Sequence, residues 1–334
     1  MKTILVTGAG GYIGSIATYM LLQKGYRVIG IDNLSTGWKE PLEFFESSFG
    51  KDMFRFHIHD LESDMMSIFQ KEKDIEAVLH YAAPCNVDES MKLPEKYFKT
   101  VRVGAHLLDC MNACGIKHIV FSSTCAVYGE AQYVPVNEAH PTLPVNPYGE
   151  SKRIVEQILY WYGKLKGMTY ISLRYFNVCG ASDDGKIGDS KKPSRHLMQN
   201  AVRGALGLEQ FHLTCPRVET SDGTPIRDYT NVVDLNNAHI LGLEYLFNGG
   251  ESEIVNLGTG KGNSVMEIIE EVKKATGATI NIDTSEARQG EYATMIADIK
   301  KAEKILGWKP EHSLTDSVNS LVMWYKDHPH GWKE

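Results

Sequence analysis

Tyr148 and Lys152 are the residues whose types and spacing first suggest chemistry. They are four positions apart, so on a helix they lie on one face, one turn from each other. Pro144 and Pro147 precede them and fit a helix start. A free tyrosine has a pKa of about 10, and a nearby ammonium group favours its phenolate form. The pair can act as a general acid and base on a hydroxyl group. The same spacing also occurs on ordinary solvated helix faces, so the surrounding elements must decide.

A glycine loop near the start of the chain supplies the first supporting element. Thr3–Thr7 is a short β-rich run, and a helical pattern follows from Ser15 to Gln23. Between them Gly8, Gly11 and Gly14 are spaced at intervals of three. Glycines let the main chain approach a pyrophosphate closely, and a helix N-terminus favours its negative charge. Strand, glycine loop and helix in this order predict a dinucleotide site rather than a plain turn.

An acidic residue follows the next predicted strand. Arg27–Ile31 is β-rich, and Asp32 stands at its end. Its separation from the glycine loop along the sequence is close to that expected for an acid that binds the adenosine ribose. A carboxylate there repels the additional phosphate of NADP, so the pattern favours NAD. The alternative is a turn or cap residue, helped by Asn33 beside it.

Further short apolar runs alternate with helical patterns, which predicts an α/β fold with a doubly wound parallel (Rossmann) sheet. The predicted strands are Met53–His57, Glu76–His80, Lys117–Ser122, Thr169–Leu173 and, late in the chain, Glu253–Leu257. Ligands of such sheets bind beyond the carboxyl ends of the strands. We therefore expect Thr124, Tyr148 and the glycine loop to lie at that edge.

The second half of the chain differs in character from the first. A polar, glycine-bearing stretch follows Asn177, and we predict a Rossmann domain over residues 1–177 and a smaller α/β substrate domain over 178–334. The chain is expected to return to the first domain at about 228–262. The later predicted elements are a strand at Phe211–Pro216 and helices at Leu197–Leu206, Val232–Leu246 and Val318–Tyr325, with a capping box at Ser264–Glu267.

Composition excludes several classes of protein. The net charge of −7 over 334 residues argues against a nucleic-acid partner. No apolar run is long enough to cross a membrane, and the first residues fit a strand better than a signal peptide. Six scattered cysteines without a CxxC pair fit reduced thiols of a cytoplasmic protein. Twelve histidines without HExxH-like spacing give no indication of a metal site.

Taken together, these motifs resemble the extended short-chain dehydrogenase/reductase superfamily and, within it, the UDP-glucose 4-epimerase family. The resemblance covers almost the whole chain. It is carried by 7–14 (TGAGGYIG), 32–35 (DNLS), 121–124 (FSST), 128–129 (YG), 148–152 (YGESK), 173–177 (LRYFN), 222–224 (DGT), 227–229 (RDY), 256–260 (NLGTG) and 288–291 (RQGE).

The resemblance implies roles for matching residues. Tyr148 is the acid/base, Lys152 its electrostatic partner and a ligand of the nicotinamide ribose, and Thr124 the hydrogen-bonding partner of the sugar hydroxyl. The implied NAD contacts are Gly8, Gly11, Tyr12, Ile13, Gly14, Asp32, Asn33, Ser35, Asp60, Leu61, Tyr81, Ala82, Ala83, Thr100, Ser122, Tyr148, Lys152 and Tyr175. The implied substrate contacts are Thr124, Tyr148, Asn177, His196, Leu197, Phe211, His212, Arg227, Arg288, Glu291 and Met295.

The implied activity is inversion of carbon 4 of a UDP-hexose through a transient 4-keto sugar. NAD stays tightly bound and is not consumed. Arg227 and Arg288 are expected to bind the diphosphate, because the planar guanidinium matches phosphate oxygens. A homodimer built on the Tyr148 helix is also implied by the resemblance.

Four positions or stretches depart from the family pattern. Cys85 stands where lysine is common, Thr100 where asparagine is common, and His196 where asparagine usually precedes Leu197. The stretch 213–218 is unlike the usual strand, and Met295 occupies a position thought to gate the sugar pocket. The nucleotide base and the sugar therefore stay open.

Three alternatives compete with a UDP-glucose/UDP-galactose epimerase. One is a 4-epimerase of a UDP-pentose, a UDP-uronate or a UDP-N-acetylhexosamine. Another is a nucleotide-sugar dehydratase or decarboxylase, which Cys125 and Ala126 disfavour because dehydratases place Asp-Glu directly after the active-site threonine. The last is a non-catalytic NAD-sensing regulator, which has no need of Thr124, Tyr148 and Lys152.

Overall fold

The computed structural model describes residues 1–191, 196–280, 282–284 and 292–332. Its strands are β1 Thr3–Thr7, β2 Arg27–Asp32, β3 Phe54–Ile58, β4 Ile75–His80, β5 His118–Thr124, β6 Thr169–Tyr175, β7 Asn177–Cys179, β8 His212–Leu213, β9 Ile226–Arg227, β10 Tyr229–Asn231, β11 Glu253–Leu257, β12 Asn263–Ser264, β13 Asp283–Thr284 and β14 Thr294–Met295. Its helices are α1 Tyr12–Gln23, α2 Glu40–Phe49, α3 Met66–Lys71, α4 Val87–Lys92, α5 Pro94–Ala113, α6 Pro147–Lys166, α7 Leu197–Ala205, α8 Val232–Phe247, α9 Val265–Thr276, α10 Lys300–Leu306 and α11 Leu314–Asp327, with a 3₁₀ turn at Cys125–Val127.

The central sheet has seven strands in the order β11-β6-β5-β4-β1-β2-β3. The pairs β1–β2, β2–β3, β1–β4 and β4–β5 are parallel. After β3 the chain crosses back to lay β4 beside β1, so strand order reverses on either side of β1. A doubly wound sheet binds its ligands at this reversal point, and the glycine loop directly follows β1. The predicted Rossmann fold is confirmed.

Helices cover this sheet with apolar side chains. Leu107 of α5 and Val155 and Leu159 of α6 belong to one core cluster with Leu5 of β1. Fully burying a leucine-sized side chain stabilises the fold by about 1.5–3 kcal/mol. Packing of α5 and α6 therefore fixes the helix that carries Tyr148 and Lys152.

The chain divides into two compact units. The first comprises Met1–Glu130, Ala139–Arg174 and Asn236–Val255, and the second comprises Ala131–Glu138, Tyr175–Leu235 and Asn256–Glu334. The sequence did not indicate that Ala131–Glu138 belongs with the later residues. Within that segment, Val136 forms a parallel β-bridge with Ala297. The Val136 carbonyl also accepts a hydrogen bond from the side-chain amide of Asn256 at 3.0 Å.

The second unit has a core of its own around α7, α9 and α11. Trp324, Phe211 and Ile269 lie in this cluster at 2% exposure or less. The predicted capping box is present, since the Ser264 hydroxyl accepts from the Glu267 amide and the Glu267 side chain accepts from the Ser264 amide.

Several element boundaries differ from the predictions. Helix α5 begins at Pro94, and its first turns carry mostly polar residues that hide the apolar pattern. Helix α1 begins at Tyr12, directly after the glycine loop. The predicted strand Phe211–Pro216 shortens to β8, since the Phe211 side chain is buried in the core and Pro216 cannot donate to a ladder.

The described residues include no helix long and apolar enough to span a membrane. They also include no group of three or more His, Cys, Asp or Glu side chains arranged to hold a metal ion.

Candidate active site

The glycine loop forms a cradle at the carboxyl end of β1. Gly8 has φ +75°, and a Cβ there would lie 2.9 Å from the Ala82 nitrogen. Gly11 is the N-cap of α1 and has no side chain to occupy the first amides of that helix. A Cβ on Gly14 would overlap the Gly8 carbonyl. A helix start without a side-chain cap and the absence of side chains in the loop fit a pyrophosphate, as the spacing predicted.

Asp32 is held beside this cradle by main-chain donors. Its carboxylate accepts from the Gly10 amide at 2.9 Å and the Leu34 amide at 2.8 Å. Burial raises the pKa of Asp32, and the amides of Leu34, Gly10 and Gly11 oppose that rise by favouring the carboxylate. These main-chain bonds fix the Asp32 carboxylate next to Gly10 of the glycine loop.

The ends of β2 and β3 bring together other predicted cofactor residues. The Asn33 side-chain amide donates to the Asp60 carboxylate at 3.0 Å, and the Ser35 main-chain amide donates to the Asn33 side-chain oxygen at 3.0 Å. The bond from the Glu62 amide and the one from Asn33 lower the pKa of Asp60. Leu61 beside it is buried. This cluster offers an anionic acceptor next to an apolar side chain, which suits an adenosine.

Residues after β4 line the other side of β1. The Tyr81 hydroxyl donates to Asn236 at 2.9 Å, and the Ala82 amide donates to the Thr7 hydroxyl at 3.3 Å. Ala83 follows and is half-buried. Thr100 on α5 is 3% exposed, and its hydroxyl finds no hydrogen-bond partner among the described residues. An orphaned buried hydroxyl of this kind fits a polar group of a cofactor.

The Tyr148 helix is positioned by its own first residues. The Asn146 side chain caps α6 by accepting from the Gly149 amide at 2.8 Å, and Pro147 occupies the first turn. A Cβ on Gly149 would overlap the Ala126 carbonyl oxygen. Lack of a side chain at Gly149 therefore lets α6 start directly against the turn that follows Thr124.

The acid/base residues lie on this framework. Lys152 is 3% exposed, and its ammonium donates to the Ser122 carbonyl at 2.7 Å. Burial lowers the pKa of Lys152 to about 8, while Cys85 and Glu156 act in the opposite direction. The Tyr148 ring meets the buried Tyr97 ring edge-on, with centroids 6.2 Å apart.

The third member, Thr124, ends β5. Its hydroxyl accepts from the Ala126 amide at 3.1 Å, which leaves its own proton free to be donated. Thr124 is 6% exposed, so only a small part of the side chain is open. This geometry suits a hydroxyl that bonds one substrate oxygen.

Sequence reasoning missed His80. Its Nδ1 lies 2.7 Å from the Thr7 hydroxyl, and that hydroxyl also accepts from the Ala82 amide at 3.3 Å. Burial, and then the charge of Lys152, lower the pKa of His80 to about 3, so the ring is neutral. It ties the ends of β1 and β4 together under the glycine cradle. A polar residue closing an otherwise apolar strand was the available signal.

In the second unit, Arg227 and Met295 are brought together. They are register partners of the parallel pair β9–β14, and Met295 is 5% exposed. The neighbouring Asp228 carboxylate accepts from the Thr259 amide at 2.7 Å, the Gly260 amide at 3.0 Å and the Ala297 amide at 3.2 Å. Asp228 therefore anchors the main chain on which Arg227 is carried.

The other predicted substrate residues of this unit are more scattered. Asn177 is exposed at the start of β7, and its main-chain amide donates to the Asp228 main-chain carbonyl at 3.0 Å. His196 is the N-cap of α7, where Leu197 is the first residue. Phe211 packs in the core at 2% exposure, whereas His212 is exposed. Tyr175 closes β6 at 7% exposure. Arg288 and Glu291 lie outside the described residues.

Comparisons with known proteins bear on this arrangement. A family model described as GDP-mannose 4,6 dehydratase matches residues 5–321. The chain is 40% identical to a UDP-glucose 4-epimerase of Halalkalibacterium halodurans, over 98% of this chain and 97% of that one. It is 37% identical to UDP-arabinose 4-epimerase 1 of Arabidopsis thaliana, over 98% of this chain and 80% of that one.

A solved structure is similar over the same length. The UDP-glucose 4-epimerase of Stenotrophomonas maltophila, with bound NAD and formylated UDP-arabinopyranose, superposes with a TM-score of 0.92 at 34% identity and covers 98% of this chain and 99% of that one. This chain belongs to the UDP-glucose 4-epimerase family. The family is part of the extended short-chain dehydrogenases/reductases, as the resemblance of the motifs implied.

Membership of the epimerase family agrees with the local geometry after Thr124. Cys125 and Ala126 enter a 3₁₀ turn there. Neither side chain can serve as the acid and base that water elimination needs. The description of the family model therefore names a related reaction for which this site lacks the groups.

Proposed function

We propose that this protein is an NAD-dependent epimerase that inverts carbon 4 of a nucleotide-linked sugar, with UDP-glucose and UDP-galactose as the substrate pair. The carrying observation is the intact group of Thr124, Tyr148 and Lys152, with the Lys152 ammonium buried and bonded to the Ser122 carbonyl at 2.7 Å. A protein that only bound the dinucleotide would have no use for a buried ammonium beside a tyrosine.

Each protein group has a defined part in the proposed reaction. Tyr148 takes the proton of the 4-hydroxyl and later returns it, and the Lys152 ammonium favours the phenolate between these events. Thr124 donates a hydrogen bond to the same sugar oxygen. When bound, NAD supplies a hydride acceptor in the first half of the reaction and a hydride donor in the second. The 4-keto sugar rotates within the site before the hydride returns to its other face. Because the same hydride is removed and returned, there is no net redox change.

The residues of the first unit fit the cofactor. The glycine loop would hold the pyrophosphate, and Asp32 would hold the adenosine ribose. Thr100, with its orphaned hydroxyl, and the Lys152 ammonium would bond the nicotinamide half. A carboxylate at Asp32 disfavours a 2′-phosphate, which supports NAD over NADP.

Residues of the second unit are assigned to the nucleotide sugar. Arg227 and Arg288 would bind the diphosphate, and Asn177 would orient the sugar. The base would be contacted by His196, Leu197, Phe211 and His212. Glu291 and Met295 would lie near the sugar. Uridine as the base is supported by relatives named for UDP-sugars.

A UDP-pentose is a second candidate substrate. It is favoured by the relative named UDP-arabinose 4-epimerase 1, at 37% identity over 98% of this chain. A pentose has the same 4-hydroxyl and lacks only the group on carbon 5, so the same acid/base residues would serve. Uronates and N-acetylhexosamines remain alternatives within the same reaction.

A homodimer and a cytoplasmic location complete the proposal. Tyr160, Trp161 and Leu165 on α6 are 50%, 53% and 68% exposed, and Phe98 on α5 is 40% exposed. Large apolar side chains on adjacent helices favour association with a second copy. All six cysteines are free, which fits a reducing compartment. Light scattering should give a mass of twice that of one chain. In the Trp161→Glu variant the measured mass should fall to that of a single chain.

The deciding experiment presents a panel of nucleotide sugars to the pure protein and follows the products by NMR. UDP-glucose, UDP-galactose, UDP-arabinose, UDP-xylose, UDP-glucuronate and both UDP-N-acetylhexosamines form the panel. Interconversion of 4-epimers, fastest for the plain hexose pair, is expected. Formation of a 4-keto-6-deoxy sugar would show a dehydratase, and no reaction with any member would refute an epimerase.

A further inference from the structure

Glu156 is a buried carboxylate that the acid/base scheme does not use. It is 4% exposed, and it accepts from Arg174 at 2.5 Å and 2.9 Å, from the Ser123 hydroxyl at 2.6 Å and from the Ser172 hydroxyl at 3.1 Å. One helical side chain thus joins α6 to both β5 and β6. Four donated bonds fill the acceptor sites of this buried carboxylate.

The place of these bonds relates Glu156 to the catalytic residues. Glu156 is four residues after Lys152 and lies on the same face of α6. Ser123, which it holds, stands between Ser122 and Thr124. The Ser122 carbonyl accepts from Lys152, and Thr124 is the predicted sugar ligand. A shift of α6 along β5 would therefore move Lys152 away from its acceptor.

We propose that Glu156 is a positioning residue, which locks α6 to β5 and β6 and so keeps the Lys152 ammonium at the Ser122 carbonyl beside Tyr148. A buried ion pair contributes little to stability compared with apolar packing, but it fixes geometry, and breaking one partner is costly. The bidentate guanidinium of Arg174 sets both the distance and the orientation of the carboxylate. This inference rests on the proposed acid/base function.

Charge gives Glu156 a second effect on the same ammonium. The titratable groups that act on the Lys152 ammonium come from several elements, namely His80 of β4, Cys85 beyond β4 and Glu156 of α6. Tyr148 is one turn before Lys152 on α6, and Arg174 of β6 is paired with Glu156. Burial lowers the pKa of Lys152 to about 8, and the charge of Glu156 limits that fall. Removing the charge leaves Arg174 as an unpaired cation, so Lys152 should lose its proton at lower pH.

Glu156→Gln tests both effects in the full chain with its cofactor. We expect kcat to fall about tenfold, as small misplacements of catalytic groups do. The alkaline limb of kcat should move by about one pH unit toward lower pH. Glu156→Asp keeps the charge but shortens the reach, so kcat should fall while the limb stays in place. Bound NAD is measured in each variant.

The matched control is Glu150→Gln. Glu150 is on the same helix and also receives two bonds from an arginine, Arg153, at 2.7 Å and 2.9 Å, but its side chain is 30% exposed and is not tied to β5. Its substitution should change neither kcat nor the limb.

A folded Glu156→Gln protein with unchanged kcat and limb overturns the proposal. If that variant does not fold, Ser123→Ala decides, since it removes only the hydroxyl that joins Glu156 to β5. A several-fold lower kcat is expected, and an unchanged kcat overturns the positioning role. A parent protein inactive on every nucleotide sugar would refute the proposed function instead, so the two failures are distinguishable.

Discussion

Replacing Lys152 by methionine should separate stability from activity. The substitution keeps the length of the side chain and removes its charge from a site that is 3% exposed. Activity should fall by about 10²- to 10⁴-fold, the usual contribution of acid/base groups, because Tyr148 would lose the charge that favours its phenolate.

The magnitude for stability follows from the pKa. Burial lowers the pKa of Lys152 from 10.5 to about 8. Keeping this ammonium in the fold therefore costs about 3 kcal/mol at pH 7, at roughly 1.4 kcal/mol per tenfold change in the protonation equilibrium. Methionine removes this cost, but it also removes the donor to the Ser122 carbonyl, and a lost hydrogen bond to a buried group costs about 1–3 kcal/mol. Lys152→Met should thus be as stable as the parent at pH 7, or slightly more stable.

The sign of the pH dependence can be worked out directly. The folded-state pKa lies below the unfolded one, so the unfolded chain binds more protons between about pH 8 and pH 10.5. The cost of the ammonium is complete below pH 8 and fades as the pH rises toward 10.5. From pH 7 to pH 10, the parent should therefore gain about 2–3 kcal/mol relative to the methionine variant.

Urea unfolding of both proteins at pH 7 and pH 10, after removal of bound nucleotide, measures this difference. Turnover of UDP-galactose and the content of bound NAD are measured on the same preparations. The reasoning is refuted if the variant is less stable than the parent by several kcal/mol at pH 7 and this difference in the free energy of unfolding does not change with pH. Such a result would show that burying the Lys152 ammonium does not destabilise the fold.

Three further substitutions test other parts of the site. Gly8→Ala should lose bound NAD and about 1–3 kcal/mol of stability, because φ is +75° and the new Cβ would lie 2.9 Å from the Ala82 nitrogen; unchanged NAD content by absorbance after denaturation would contradict this. Asp32→Ser should narrow the preference of the stripped protein for NAD over NADP in a calorimetric titration, and a parent that binds NADP as well as NAD would refute the role of Asp32. Met295→Ala should raise kcat/KM for UDP-N-acetylglucosamine relative to UDP-glucose, since the flexible methionine fills a pocket; equal kcat/KM for both sugars in the parent would count against it.

The sequence was most informative where chemistry imposes short local spacing. The glycine loop, Asp32 at the end of β2 and the Tyr148–Lys152 pair depend on neighbours within one turn or one loop, and these local patterns are visible without a fold. The parallel, doubly wound sheet is predicted by the same alternation of short strands and helices.

Contacts between residues far apart in the chain could not be predicted from the sequence. Glu156 and Arg174 pair across 18 positions, and His80 meets Thr7 across 73. Single polar residues in apolar runs give no indication of which partner they will find. The family resemblance implies Phe211 as a substrate contact, and the structure places its side chain in the core of the second unit.

The most direct test of the proposed reaction is turnover without added cofactor. Pure protein carrying its own nicotinamide should interconvert UDP-glucose and UDP-galactose, with no net NADH formed as judged by absorbance. Tyr148→Phe should fold, keep its NAD and lose about 10²- to 10⁴-fold in rate. NADH released in proportion to sugar oxidised would instead identify an ordinary dehydrogenase and contradict the transient oxidation proposed for this site.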